Sequence, residues 1–70
     1  MFIVDYVYVP LSGKAYVASD ICDSLEVEEN GDHMKLEFVH SAKNIDREIV
    51  KFTSFVIIPR QRIRVDKVNN

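Results

Sequence analysis

Leu25 and Val27 alternate with Ser24, Glu26 and Glu28, and after Asn30-Gly31 the alternation resumes through Met34, Leu36 and Phe38. A period of two residues makes one face of a strand apolar and the other polar. Asn-Gly between two such runs is a strong hairpin signal, because a type I′ turn needs positive φ at both central residues. With Asn30-Gly31 at the tip, Glu29 faces Asp32, Glu28 faces His33, Val27 faces Met34, Glu26 faces Lys35 and Leu25 faces Leu36. That register gathers the apolar pairs on one face and sets Glu26 against Lys35 on the other. An antiparallel pair is therefore expected at the centre of the chain.

The remaining sequence extends the same class. Val and Ile together number 17, against 6 for Leu and Ala. Branching at Cβ restricts rotamers in a helix and suits a pleated surface. Phe2 to Val9 reads as a first strand, apolar on both parities and interrupted only by Asp5, so a cover is expected on both of its faces. Pro10 to Gly13 forms a turn, and Lys14 to Ser19 a second strand. Ser41 to Asp46 is polar and reads as a loop, where Asn44 is able to cap a short helical turn. A strand from Glu48 to Ile58 follows, bent near Thr53-Ser54. Pro59 breaks it, and Ile63 and Val65 mark a short last strand.

The expectation is one small all-β domain over residues 1–70. It would be a five- to six-stranded antiparallel barrel or sandwich with room for one helical turn. The strand order resembles an SH3-like or Sm-like barrel in architecture, a plan that hosts many functions.

Seventy residues at 47% apolar and 29% charged describe an ordinary folded chain. The longest apolar run, Phe55 to Ile58, is far short of a membrane span of about 20 residues. No basic segment follows Met1, so no leader is expected and a cytoplasmic location is. A core this small rarely nets more than about 3–5 kcal/mol without disulfides, a metal or oligomerisation. Cys22 is the single cysteine, so no internal disulfide forms. Efficient packing or self-association is left as the remedy, and self-association is the one expected.

Catalytic chemistry finds little support. His33 and His40 are seven apart on one strand and point to opposite faces. Cys22 lies between Asp20 and Asp23, whose charges oppose a thiolate. The carboxylates from Asp20 to Asp32 lack the alternate spacing of a calcium loop. Ser12-Gly13-Lys14 lacks the upstream Gly and following Ser or Thr of a phosphate loop. No enzyme, metal or cofactor is expected.

Charge is distributed unevenly. Residues 1–35 carry seven acids and two bases (−5), and residues 36–70 carry four acids and seven bases (+3), giving the net −2. Arg60, Arg62 and Arg64 are spaced by two, which would line them along one strand edge. Arginine grips phosphates and carboxylates through a planar fork, and Tyr6 and Tyr8 are candidate stacking surfaces beside them. The sequence thus points to a non-enzymatic interaction module, a regulator or inhibitor acting through protein contacts as a homodimer or higher oligomer. The alternative is a small nucleic-acid-binding barrel using the three arginines on phosphates, against which the net acidity argues.

Overall fold

β-Branched and aromatic residues fill six strands in the computed structural model, which describes residues 1–68. They are β1 (Phe2–Tyr8), β2 (Tyr16–Cys22), β3 (Ser24–Asn30), β4 (His33–Lys43), β5 (Ile49–Pro59) and β6 (Arg64–Lys67). The strands form two antiparallel three-stranded sheets, β2-β1-β6 and β3-β4-β5. Among the described residues there is no helix, and no ladder joins the sheets into a closed barrel. The small all-β class therefore holds, while barrel closure and the helical turn after Asn44 do not.

Asp23 alone separates β2 from β3 and carries the chain from one sheet into the other. Its N–H donates to the Val39 carbonyl at 2.8 Å, which anchors the corner on β4. Between the sheets lie the buried side chains Val4, Tyr6, Cys22, Met34, Leu36, Phe38 and Ile58. The Tyr6 and Phe38 rings stack across this layer with centroids 6.1 Å apart. Phe2, Tyr8, Leu25, Val56 and Ile63 pack around the margin.

The central hairpin forms one residue away from its expected register. Asn30 pairs with His33, Val27 with Leu36 and Leu25 with Phe38, so Gly31-Asp32 is the turn. Gly31 alone at the tip has positive φ, 62°, as a type II′ turn requires of its first central residue. Moving the tip by one residue shifts every partner by two, which returns each apolar side chain to the same face. The alternation therefore allows both turns. In the observed one, Glu28 opposes Lys35 and the Asp32 carbonyl accepts the Arg60 N–H at 2.8 Å.

Strand β4 runs on to Lys43, through residues whose polarity reads as loop, and pairs with β5 over its full length from His33↔Pro59 to Lys43↔Ile49. Asn44 caps the connecting loop instead of a helix. Its side-chain carbonyl accepts the Asp46 and Glu48 N–H groups at 3.0 and 2.9 Å. Arg47 takes the one positive φ of a non-glycine residue among the described residues, 60°. Strand β3 ends against Val39, so beyond that point β4 and β5 project as a two-stranded arm. The molecule measures 42 × 24 × 22 Å, with a radius of gyration of 13.7 Å. A compact chain of this length would have a radius of gyration of about 11 Å.

Candidate interaction surface

The three arginines do not share an edge. Arg60 lies in the bend after β5 and meets Glu29 of β3 at 3.2 Å. Arg64 lies on β6, in the other sheet, with its Nε 2.9 Å from Asp66. Arg62 is exposed in the irregular segment between them, and no ion pair involves it among the described residues. Spacing by two lines up side chains only within one strand, and here Pro59 ends β5 before β6 begins.

The tyrosines separate as well. Tyr6 is a core residue, with 7% of its surface exposed, so its ring offers no stacking surface. Its hydroxyl donates to the Asp20 carboxylate. Burial first, then that bond and the Asp20 charge, hold its pKa well above the ordinary 10.0. Tyr8 is half-buried at the end of β1, its ring tilted against its cross-strand partner Tyr16 at 5.6 Å.

His33 is exposed at the hairpin tip. His40 is half-buried, with its Nε2 3.0 Å from Ser54 Oγ and its ring stacked on Phe52 at 5.0 Å. Cys22 is buried, and burial, followed by the charges of Asp23 and Asp20, raises its thiol pKa. A groove of about 120 Å³ beside it is lined by Met1, Ile21, Asp23, His40 and Ser41. The Ser41 hydroxyl there already donates to Asp23. Among the described residues no group of His, Cys, Asp and Glu is arranged to hold a metal.

Gln61 has a role that the sequence does not announce. Its amide accepts from the Val7 N–H at 2.7 Å and donates to the Val7 carbonyl at 2.9 Å. It donates also to the Pro59 carbonyl at 3.0 Å. Strand β6 pairs only with Phe2–Asp5, and the Gln61 amide serves as the next rung of that ladder. An isolated glutamine after a proline carries no pattern by which to find it.

Two apolar surfaces remain uncovered. On the outer face of the first sheet, Ile3 pairs with Ile21 and Val7 with Val17, and Val17 is 72% exposed. The expected cover on both faces of β1, from a barrel interior plus a neighbour or from a second subunit, is present on one face within the single chain. The second lies on the outer face of β5, where Ile49, Phe55 and Ile57 share a parity and Phe55 is 62% exposed, while Val50 and Phe52 (51%) are exposed on the opposite face of the arm. Lys35 lies 4.9 Å from the centre of the Phe55 ring. No helix is long and apolar enough to cross a membrane.

No protein-family model matches the chain, and neither a curated protein nor a solved structure shows significant similarity to it.

Proposed function

We propose that this chain is a non-enzymatic protein-interaction module that self-associates and regulates or inhibits a protein partner by docking on it. One observation carries the reading. Among the described residues, seven apolar side chains are buried while fifteen large ones are exposed. The groups on the outer face of the first sheet and along β5 make apolar surface of the kind that marks an interaction site. A partner or a second copy lowers the free energy by covering it.

The arrangement of the arginines favours protein contact over phosphate contact. Arg60 and Arg64 already meet carboxylates, and Tyr6 is unavailable for stacking. A nucleic-acid groove would need those groups together on one open surface. The architectural plan proposed is SH3-like or Sm-like, a reading that draws support from the strand count and from the proline before a short last strand. The cytoplasm is the compartment proposed with this role.

Sedimentation over a concentration series tests self-association, with an assembly larger than the single chain expected at micromolar concentration. Titration with mixed-sequence RNA and DNA tests the alternative. Submicromolar binding that weakens steeply with salt, and is lost on replacing Arg60, Arg62 and Arg64 by alanine, would overturn the protein-contact reading.

A further inference from the structure

We infer that the open edge of β5 pairs antiparallel with β5 of a second copy about a two-fold axis at Ser54, joining two β3-β4-β5 sheets into one. The inference rests on the self-association proposed above and assigns it to one surface.

Strand β5 hydrogen-bonds to β4 alone, so its other side is a sheet edge eleven residues long. Exposed edges are usually guarded by charge, proline or brevity. This one carries a single charge, Lys51, and no proline before Pro59. Other edges are poorer candidates for pairing with themselves. Fully overlapped with its own copy, β3 would set Glu26 against Glu28, and β2 and β6 are shorter edges of seven and four residues.

The sequence of β5 is complementary to itself about its midpoint. A centre at Ser54 overlaps the two strands over their full length. It sets Val50 opposite Ile58 and Phe52 opposite Val56 on one face, and Lys51 opposite Ile57 on the other. No residue of the strand then meets a like charge, and the Lys51 stem lies on apolar surface while its ammonium reaches water.

Charge at the ends agrees with this placement. The same axis carries the arm tip of one copy to the arginine corner of the other. The tip loop carries Asp46, Arg47 and Glu48, two acids to one base, and the corner after Pro59 carries Arg60 and Arg62, so charges of opposite balance come to the same end of the joined sheet. Within one chain, no ion pair involves Arg62 among the described residues. The pairing also gives the arm a third strand, and two strands alone are marginal in water.

Disulfide trapping tests the axis directly, because Cys22 is buried and out of reach. In Ser54→Cys the two introduced thiols oppose each other, and oxidation should give a covalent dimer. In Thr53→Cys they stand on the diagonal, with Cα atoms about 7–8 Å apart, too far for a ready bridge, and crosslinking should be at least tenfold slower. Phe52→Lys should raise the dimer Kd at least tenfold, whereas Leu11→Lys, in the β1–β2 turn, should leave it unchanged. A dimer that persists without a Ser54→Cys crosslink overturns this inference and leaves self-association standing. So does loss of the dimer in Val17→Lys with none in Phe52→Lys, which moves the interface to the outer face of the first sheet. A chain that stays monomeric at every concentration overturns both readings, even if the edge takes a strand from another protein.

Discussion

The two halves of the β4–β5 hairpin share one ladder and differ in everything that surrounds it. In the body half, Met34 pairs with Ile58 and Leu36 with Val56, under β1 and beside β3. In the arm half, His40 pairs with Phe52 and Ala42 with Val50, with no strand beyond them on either side. In both halves β5 is rich in β-branched and aromatic residues, whereas the arm half of β4, His40–Lys43, is largely polar. Leu36 is 0% exposed, while Phe52, Val50 and Ile49 face water. Local propensity favours β5 in both places, pairing with it carries β4 through the arm, and burial comes only where the chain returns with another layer. Tertiary contact, not strand formation, supplies most of the stabilisation, because the apolar transfer term needs a cover.

The largest effect should separate the halves directly. Leu36→Ala leaves a cavity in the body and should cost about 2–5 kcal/mol, enough to unfold much of a marginal domain of this size. Urea denaturation at low protein concentration measures it. Phe52→Ala, in the arm, should cost less than about 1 kcal/mol under the same conditions, because little packing is lost. A comparable cost at both positions would show that the arm is covered within a single chain.

Alkaline pH should act on the body before the arm. The Tyr6 hydroxyl titrates at a higher pH in the fold than in the unfolded chain, because of burial and then Asp20. Its contribution to stability is intact below the ordinary value of 10.0 and is lost as the pH rises through and above it. Tyr6→Phe should flatten the alkaline limb of the stability profile, read as Tm against pH. An unchanged limb would exclude Tyr6 as its source.

Gln61→Ala removes both side-chain bonds to Val7 and should cost about 1–2 kcal/mol. Hydrogen exchange should show the loss at the Val7 amide, on the body side, with the arm amides unaffected. The smallest effect lies at the hairpin tip. Gly31→Val forces a β-branched residue to φ near 62° and should cost about 1–2 kcal/mol at most. Nothing lies within 4 Å of the added Cβ, so the cost is conformational. Asn30→Ala should cost less than about 0.5 kcal/mol, since Asn30 is a strand residue here. A reversed order would restore Asn30-Gly31 as the turn.

Much of the local structure is legible in the residues. Period-two alternation gives β3, β4 and their inward faces. Pro10 to Gly13 turns as its composition demands, with the Gly13 N–H bonded to the Pro10 carbonyl at 2.9 Å. The candidate site is legible only in part. Arg60, Arg62 and Arg64 are evenly spaced in sequence, yet the corner after Pro59 sets Arg60 against Glu29 of one sheet, Arg64 against Asp66 of the other, and leaves Arg62 between them. Tyr6 and Tyr8 share a parity, but the sheet above reaches only the first of them fully. Gln61 is invisible until β6 proves too short to pair with Val7.

The sequence by itself determined the all-β class, the central hairpin and the parity of each strand, because those depend on side-chain branching and a two-residue period acting over a few positions. Only the tertiary structure decided the hairpin register, since a shift of two leaves every face unchanged. It also decided that the sheets stay open, that the arm stands clear of the body, and which of the two apolar faces of β1 is covered. Those outcomes depend on contacts between residues far apart in the chain, where one apolar surface is chosen over another by what packs against it, and no local pattern records that choice.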